Sequence, residues 1–180
     1  MLKTVLAADR RMDNPARTDI LRAMDHDSDI LIVGGGLNGP ALALAAAQAG
    51  LSSTVIDALP EPIRADAGFD GRAYALALAS VRLLRNLGIW ERVAESAQPM
   101  LEIKVSDGRA GEGPSPLFLH FDHAEIEEGP MGHMLEDRFL RRALIEAMAG
   151  EPLIKQVSND TVTAQEVGAT GVSVALASGK

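Results

Sequence analysis

The 180-residue chain has no cysteine, which excludes disulfides, thiolate nucleophiles and cysteine-based metal sites and fits a reducing cytoplasm. Nothing in it approaches the ~18 consecutive apolar residues that a membrane-spanning helix needs. The early apolar run, Val5 to Ala8, is too short for the core of a signal peptide. Positive charge is scarce: 17 Lys and Arg stand against 25 Asp and Glu, a formal charge of -8. A nucleic-acid backbone would be repelled on average, so nucleic acid is not an expected partner. Aromatic residues make up only 3%, and the remainder, rich in Ala, Leu and Gly, suits close packing of helices on a sheet.

Against those absences stands one well-ordered pattern. Residues 29–33 (Asp-Ile-Leu-Ile-Val) read as a short buried parallel strand, closed by three glycines. Residues 41–49, small and apolar, read as a helix stopped by Gly50, and residues 53–57 as a second strand. Strand, glycine turn, helix and strand in under thirty residues make a βαβ unit. Residues 58–71 read as a loop. A helix is expected over 73–87, strands at 101–106 and 117–121, and a further helix from about Glu136 to Met148. Three short strands then follow at 153–157, 161–167 and 172–177. The fold class is therefore α/β: a Rossmann-like FAD/NAD(P)-binding βαβ fold with a small antiparallel β element added. Residues 1–27 are expected to be a flexible N-terminal extension, with Met24 as the natural start.

Gly34, Gly35, Gly36, Leu37, Asn38 and Gly39 satisfy G-x-G-x-x-G. The first glycine permits the tight turn, the second lets backbone approach a pyrophosphate, and the third lets helix and strand pack. Ala43, one turn further on, keeps the same face small. Asp57 falls at the end of the second strand, 18 residues after Gly39, where a carboxylate accepts both hydroxyls of an adenosine ribose and repels a 2'-phosphate. Ala58, Leu59 and Pro60 beside it offer no cation, which favours FAD or NAD over NADP. The loop holds no Lys or Arg, so the phosphates would rest on backbone N–H groups and the helix dipole.

Arg72 follows Asp70-Gly71 at the expected start of the second helix, with Asp70 as its N-cap. A cation in a first turn opposes the helix dipole, which leaves two readings: a ligand of a flavin pyrophosphate or ribose, or a solvated arginine paired with Asp70. His120, Asp122 and His123 read as solvated side chains of a polar loop, so no metal site is expected.

Several segments together resemble the class A flavoprotein monooxygenases, in particular the aromatic-ring hydroxylases of ubiquinone biosynthesis. They are residues 29–33 with the glycine loop, Asp57, Asp70-Gly71-Arg72-Ala73, Leu87-Gly88-Ile89-Trp90, Ile103-Lys104-Val105-Ser106-Asp107 and Gly132-His133-Met134-Leu135-Glu136-Asp137. By that resemblance the loop glycines approach the pyrophosphate, Asp57 the adenosine ribose and Arg72 the flavin side of the cofactor. Arg138 stands where the family shows an amide or arginine near the cofactor. Here Glu136 and Asp137 precede it, so an exposed arginine is the competing reading.

The resemblance implies FAD as cofactor, NAD(P)H as reductant and a small aromatic substrate, a polyprenylated phenol. It also implies a cytoplasmic protein peripheral to the inner membrane or held in a ubiquinone-biosynthesis complex. The family's later Asp-Gly and Gly-Asp motifs do not appear after Gly171. Residues 28–180 are accordingly expected to be the N-terminal portion of an FAD-binding domain, an incomplete domain without the substrate domain and inactive alone. A single-domain NAD-dependent dehydrogenase and a noncatalytic dinucleotide-binding module are the alternatives.

Overall fold

Short apolar runs that alternate with amphipathic helices dictate a layered α/β arrangement. The structure, a computed structural model, has that arrangement and describes residues 26–125 and 129–179. The expected N-terminal extension, apart from His26 and Asp27, and the proposed start at Met24 lie outside the described residues.

Strands β1 (Ile30–Val33), β2 (Ser53–Asp57) and β8 (Ile154–Ser158) form a parallel sheet in the order β1-β2-β8. The register pairs Val33 with Ile56 and Asp57 with Ser158. Helix α1 (Asn38–Gln48) crosses from β1 to β2 and buries Ala43 and Leu44. Gly50, at φ +79°, ends the turn that follows it. Helix α5 (Asp137–Ala149) packs on the same layer through Leu140, Ala143, Leu144 and Met148, which join Ile32, Val55 and Ile154 in one core.

The loop expected over 58–71 contains a four-residue helix, α2 (Glu61–Arg64). Pro62 near its start costs little, because first-turn amides have no intrahelical acceptor. A larger correction concerns residues 73–87. Their first five form strand β3 (Ala73–Ala77), and only then does helix α3 (Leu78–Asn86) begin. Ala and Leu favour helix locally, but β3 is captured by antiparallel pairing with β7 (Gly132–Glu136), so tertiary contact overrides propensity. Strand β7 is the centre of a sheet ordered β3-β7-β4, with β4 at Gln98–Met100. A methyl on Gly132 would overlap the Leu76 carbonyl oxygen across that sheet.

Helix α4 (Trp90–Val93), also unexpected, follows Gly88 and buries Trp90 and Val93. The expected pair of strands after it is a hairpin, β5 (Glu102–Arg109) with β6 (Gly113–Asp122), longer than the sequence pattern alone marks. A second hairpin, β9 (Val162–Val167) with β10 (Val172–Leu176), completes the described chain. No helix among the described residues is long and apolar enough to cross a membrane.

Candidate functional site

The C-terminal ends of β1 and β2 lie side by side, which is where open α/β sheets place ligands. Gly34 leaves β1 at φ +111°, a conformation that strongly favours glycine, and its N–H donates to the Ile56 carbonyl at 2.8 Å. Gly39 packs the start of α1 against that turn: a side chain there would overlap the Gly34 carbonyl oxygen and press on Ile32. At Gly34 and Gly36, by contrast, no heavy atom stands within 4 Å of where a Cβ would lie. The loop is therefore closed against the sheet by Gly39 and open outward at Gly34 and Gly36. Leu37 precedes α1 and Asn38 begins it. The first amides of an α-helix have no intrahelical acceptor and point away from the helix body, as an anion site requires.

Asp57 closes the other side. Its Oδ2 accepts the Gly35 N–H at 2.5 Å and its Oδ1 accepts the Leu59 N–H at 2.8 Å. Each carboxylate oxygen keeps a further lone pair for a hydroxyl donor. The open glycines, the first-turn amides and this acid fit the adenosine diphosphate half of FAD.

One cation was missed in the sequence. Arg64, at the end of α2, is only 4% exposed. Its Nη1 donates to the Gly35 carbonyl at 3.2 Å, its Nη2 to Ser158 Oγ at 2.7 Å, and its Nε faces Asp57 Oδ1 at 3.7 Å. The expectation that no cation stands beside Asp57 is thus corrected. The sequence signal, a lone arginine seven positions past the acid in a proline-containing stretch, gives no way to know that the chain turns back.

Arg72 and Arg138 belong to a second group, at the ends of β3 and β7. Arg72 is not in the first turn of a helix, because β3 follows it, so no helix dipole opposes its charge. Nor does Asp70 cap a helix: its Oδ1 accepts the Arg72 N–H at 3.1 Å in a local turn. The Arg72 guanidinium, 54% exposed, pairs with Asp70 and reaches Asp137 Oδ2 at 3.2 Å. Both partners raise the Arg72 pKa, Asp70 most, and Arg72 holds the Asp70 carboxyl below its ordinary range.

Asp137 is the buried hub, at 2% exposure. It meets Arg141 Nη2 at 2.5 Å and accepts the Tyr74 hydroxyl at 3.0 Å, while its N–H donates to the Arg72 carbonyl at 3.0 Å. Burial, reinforced by the hydrogen bond to Asp137, pushes the Tyr74 phenol up. Arg138 donates from Nε to Glu136 at 2.6 Å and from Nη1 to the Ala67 carbonyl at 3.2 Å, and it lies over the rings of Phe139 and Phe69. Its partners come from β7, α5 and the 67–69 segment, none from the glycine loop.

The hairpin β5–β6 brings Glu102 to His120 and Asp122, with ligand atoms within 4.8 Å of one another. Glu102 is already paired with Lys104 at 2.6 Å, and Asp122 accepts the Ala124 N–H at 2.9 Å. The cluster lies on the hairpin surface, and His123 Nδ1 stands 3.1 Å from Asp122 Oδ1.

Comparison with known proteins points to the same cofactor. A family model described as an FAD binding domain matches residues 27–178. Ubiquinone hydroxylase UbiL of Rhodospirillum rubrum is 42% identical over 170 residues, 93% of this chain and 38% of that protein. The 3-demethoxyubiquinol 3-hydroxylase of Escherichia coli is 37% identical over 129 residues, 71% of this chain and 32% of that one. The chain thus spans about a third of the length of these relatives. Among solved structures, the probable FAD-dependent monooxygenase pqsL of Pseudomonas aeruginosa superposes with a TM-score of 0.66 at 21% identity, over 85% of this chain and 39% of that one. At that identity the likeness speaks for the fold.

Proposed function

The chain belongs to the FAD binding domain family, and on that footing we propose that it forms the adenosine- and pyrophosphate-holding part of a flavin-dependent monooxygenase. The proposed reaction hydroxylates an aromatic ring, with a polyprenylated phenol of ubiquinone biosynthesis as substrate class, NAD(P)H as reductant and O2 as oxidant. The names of the Rhodospirillum and Escherichia relatives support the substrate class. A polyprenyl tail lies at a membrane surface, so peripheral membrane contact belongs to the same proposal.

The observation that carries the reading is the 2.5 Å bond from the Gly35 N–H to Asp57, which sets the acid against the glycine loop. FAD, when bound, supplies the redox and oxygen-transfer chemistry. The protein's part is to hold and orient it. Gly34 and Gly36 leave clearance for the pyrophosphate, the amides of Leu37, Asn38 and Gly39 donate to it, and Asp57 accepts the ribose hydroxyls. Arg72, steadied by Asp70 and Asp137, serves the flavin side, with Arg138 in the first turn of α5.

Magnitudes limit what this part does alone. The helix dipole contributes roughly 0.3–2 kcal/mol toward an anion, whereas micromolar affinity needs about 8 kcal/mol. Weak FAD binding and no hydroxylase activity are proposed for these 180 residues by themselves. The visible absorption spectrum of the full-length protein purified from its native source tests the reading. Copurified flavin with NAD(P)H-dependent hydroxylation supports it; a flavin-free protein that binds NAD points to a dehydrogenase.

A further inference from the structure

Arg64 is placed where an arginine has no packing reason to be. It ends a helix of only four residues whose other members, Glu61, Pro62 and Ile63, are exposed. A guanidinium there has solvent within easy reach, and burying it carries a desolvation cost that only well-formed pairing offsets. Its nitrogens nevertheless turn inward to three separate strand ends: Gly35 after β1, Asp57 of β2 and Ser158 of β8.

The space it fills is the one Gly35 leaves by lacking a side chain. A methyl on Gly35 would overlap Arg64 Nη1 and stand 3.1 Å from both Cβ and Oδ2 of Asp57. The Gly35 residue is gripped on both sides, its N–H by Asp57 and its carbonyl by Arg64. In a trans peptide the carbonyl and the following N–H point in opposite directions. Drawing the Gly35 carbonyl inward to Arg64 therefore turns the Gly36 N–H outward, toward the side where the loop is open.

We propose that Arg64 is a positioning residue that sets both halves of the adenosine diphosphate cradle: it orients the Gly35–Gly36 peptide so that the Gly36 N–H faces the pyrophosphate, and it steadies the Asp57 carboxylate for the ribose diol. The role of the cradle rests on the FAD reading above; the orientation of peptide and acid does not. Arg64 is only 4% exposed and its guanidinium is turned inward to Gly35, Asp57 and Ser158, so it does not present its charge to a ribose 2'-phosphate, and the preference for an unphosphorylated ribose holds despite the nearby cation.

Two readouts on the same chain separate these layers: amide hydrogen exchange without ligand, and FAD affinity by fluorescence titration. Arg64→Met is expected to speed exchange at Gly35, whose N–H is held by Asp57, about tenfold or more, the consequence of losing a charge-assisted bond, while Thr54 and Val55 within β2 stay unchanged. FAD affinity should fall by about the same factor, with Arg64→Lys intermediate. Ser158→Ala, which frees one end of the guanidinium, should show the same pattern at roughly threefold and carries the test if Arg64→Met does not fold. Unchanged exchange at Gly35 in the variant that folds overturns the proposal, as does uniform acceleration across β2. Faster loop exchange in the variant, together with a wild-type chain that binds no FAD, keeps the positioning role and removes the FAD reading. Faster loop exchange with undiminished FAD affinity overturns the link between Arg64 and the cradle.

Discussion

Gly35 donates its backbone N–H to Asp57 Oδ2 at 2.5 Å across 22 positions of sequence. That bond makes the glycine loop and the acid one device, since neither can shift without the other. Asp57→Asn keeps an acceptor for Gly35 but replaces half of the carboxylate with a donor that cannot accept a ribose hydroxyl. FAD affinity is expected to fall about tenfold, or about 1.4 kcal/mol. Titration with FAD checks it, and equal affinities of variant and wild type contradict the assigned role.

Gly39→Ala addresses the packing of α1 on β1. The added methyl would overlap the Gly34 carbonyl oxygen, which is backbone and cannot rotate away. Overpacking of this kind costs about 1–3 kcal/mol, and at this chain length each kcal/mol lowers Tm by about 2–4 °C. Thermal unfolding should show that loss together with weakened FAD binding. Gly36→Ala, where the Cβ meets nothing within 4 Å, should leave Tm nearly unchanged and impair binding alone.

Asp137→Asn tests the second group. The change removes the charge that faces both Arg72 and Arg141 at a site 2% exposed. Because Arg72 itself is half exposed, the loss is expected near the middle of the charge-assisted range, about 2 kcal/mol. Tyr74→Phe, which deletes only the 3.0 Å bond to Asp137, should cost about 1 kcal/mol. Denaturant midpoints of the two variants and the double variant check the coupling; additive losses contradict a shared network.

Acid stability should fall in two steps. Burial, and then the charge of Arg85, lower the pKa of His133, which packs edge-on against Trp90. The unfolded chain therefore binds that proton first, and stability drops as pH falls through about 6.5 until the folded-state pKa is passed. The second step lies lower. Hydrogen bonds from Ser52 hold the Asp29 carboxyl below its ordinary range, so its contribution is present above about pH 4 and is lost on further acidification. In unfolding curves recorded across pH, His133→Gln should remove the upper step and leave the lower. Persistence of the upper step contradicts the assignment.

The parallel layer was legible because its strands carry their own signal: residues 30–33 are a continuous apolar run, residues 53–57 centre on the β-branched Thr54, Val55 and Ile56, and glycines punctuate the helix between them. Asp57 was legible for the same reason, being fixed by the end of a strand. The β3 segment Ala-Tyr-Ala-Leu-Ala was not. Its residues favour helix and run into a real helix at Leu78, and what makes it a strand is a partner near residue 134. Strand β7 itself contains Gly, His, Met and Glu but no β-branched residue, so nothing local marks it. Arg64 was illegible on similar grounds, since its importance depends on a turn that carries it back to Gly35, 29 positions away.

Amide NMR spectra of the wild-type chain, recorded as ADP is added, test the central claim most directly. The account predicts that the largest shifts fall on Gly34 to Gly39 and on the residues around Asp57, with little change in the β5–β6 hairpin. Shifts that cluster elsewhere, or a glycine loop unmoved at saturating ADP, contradict it.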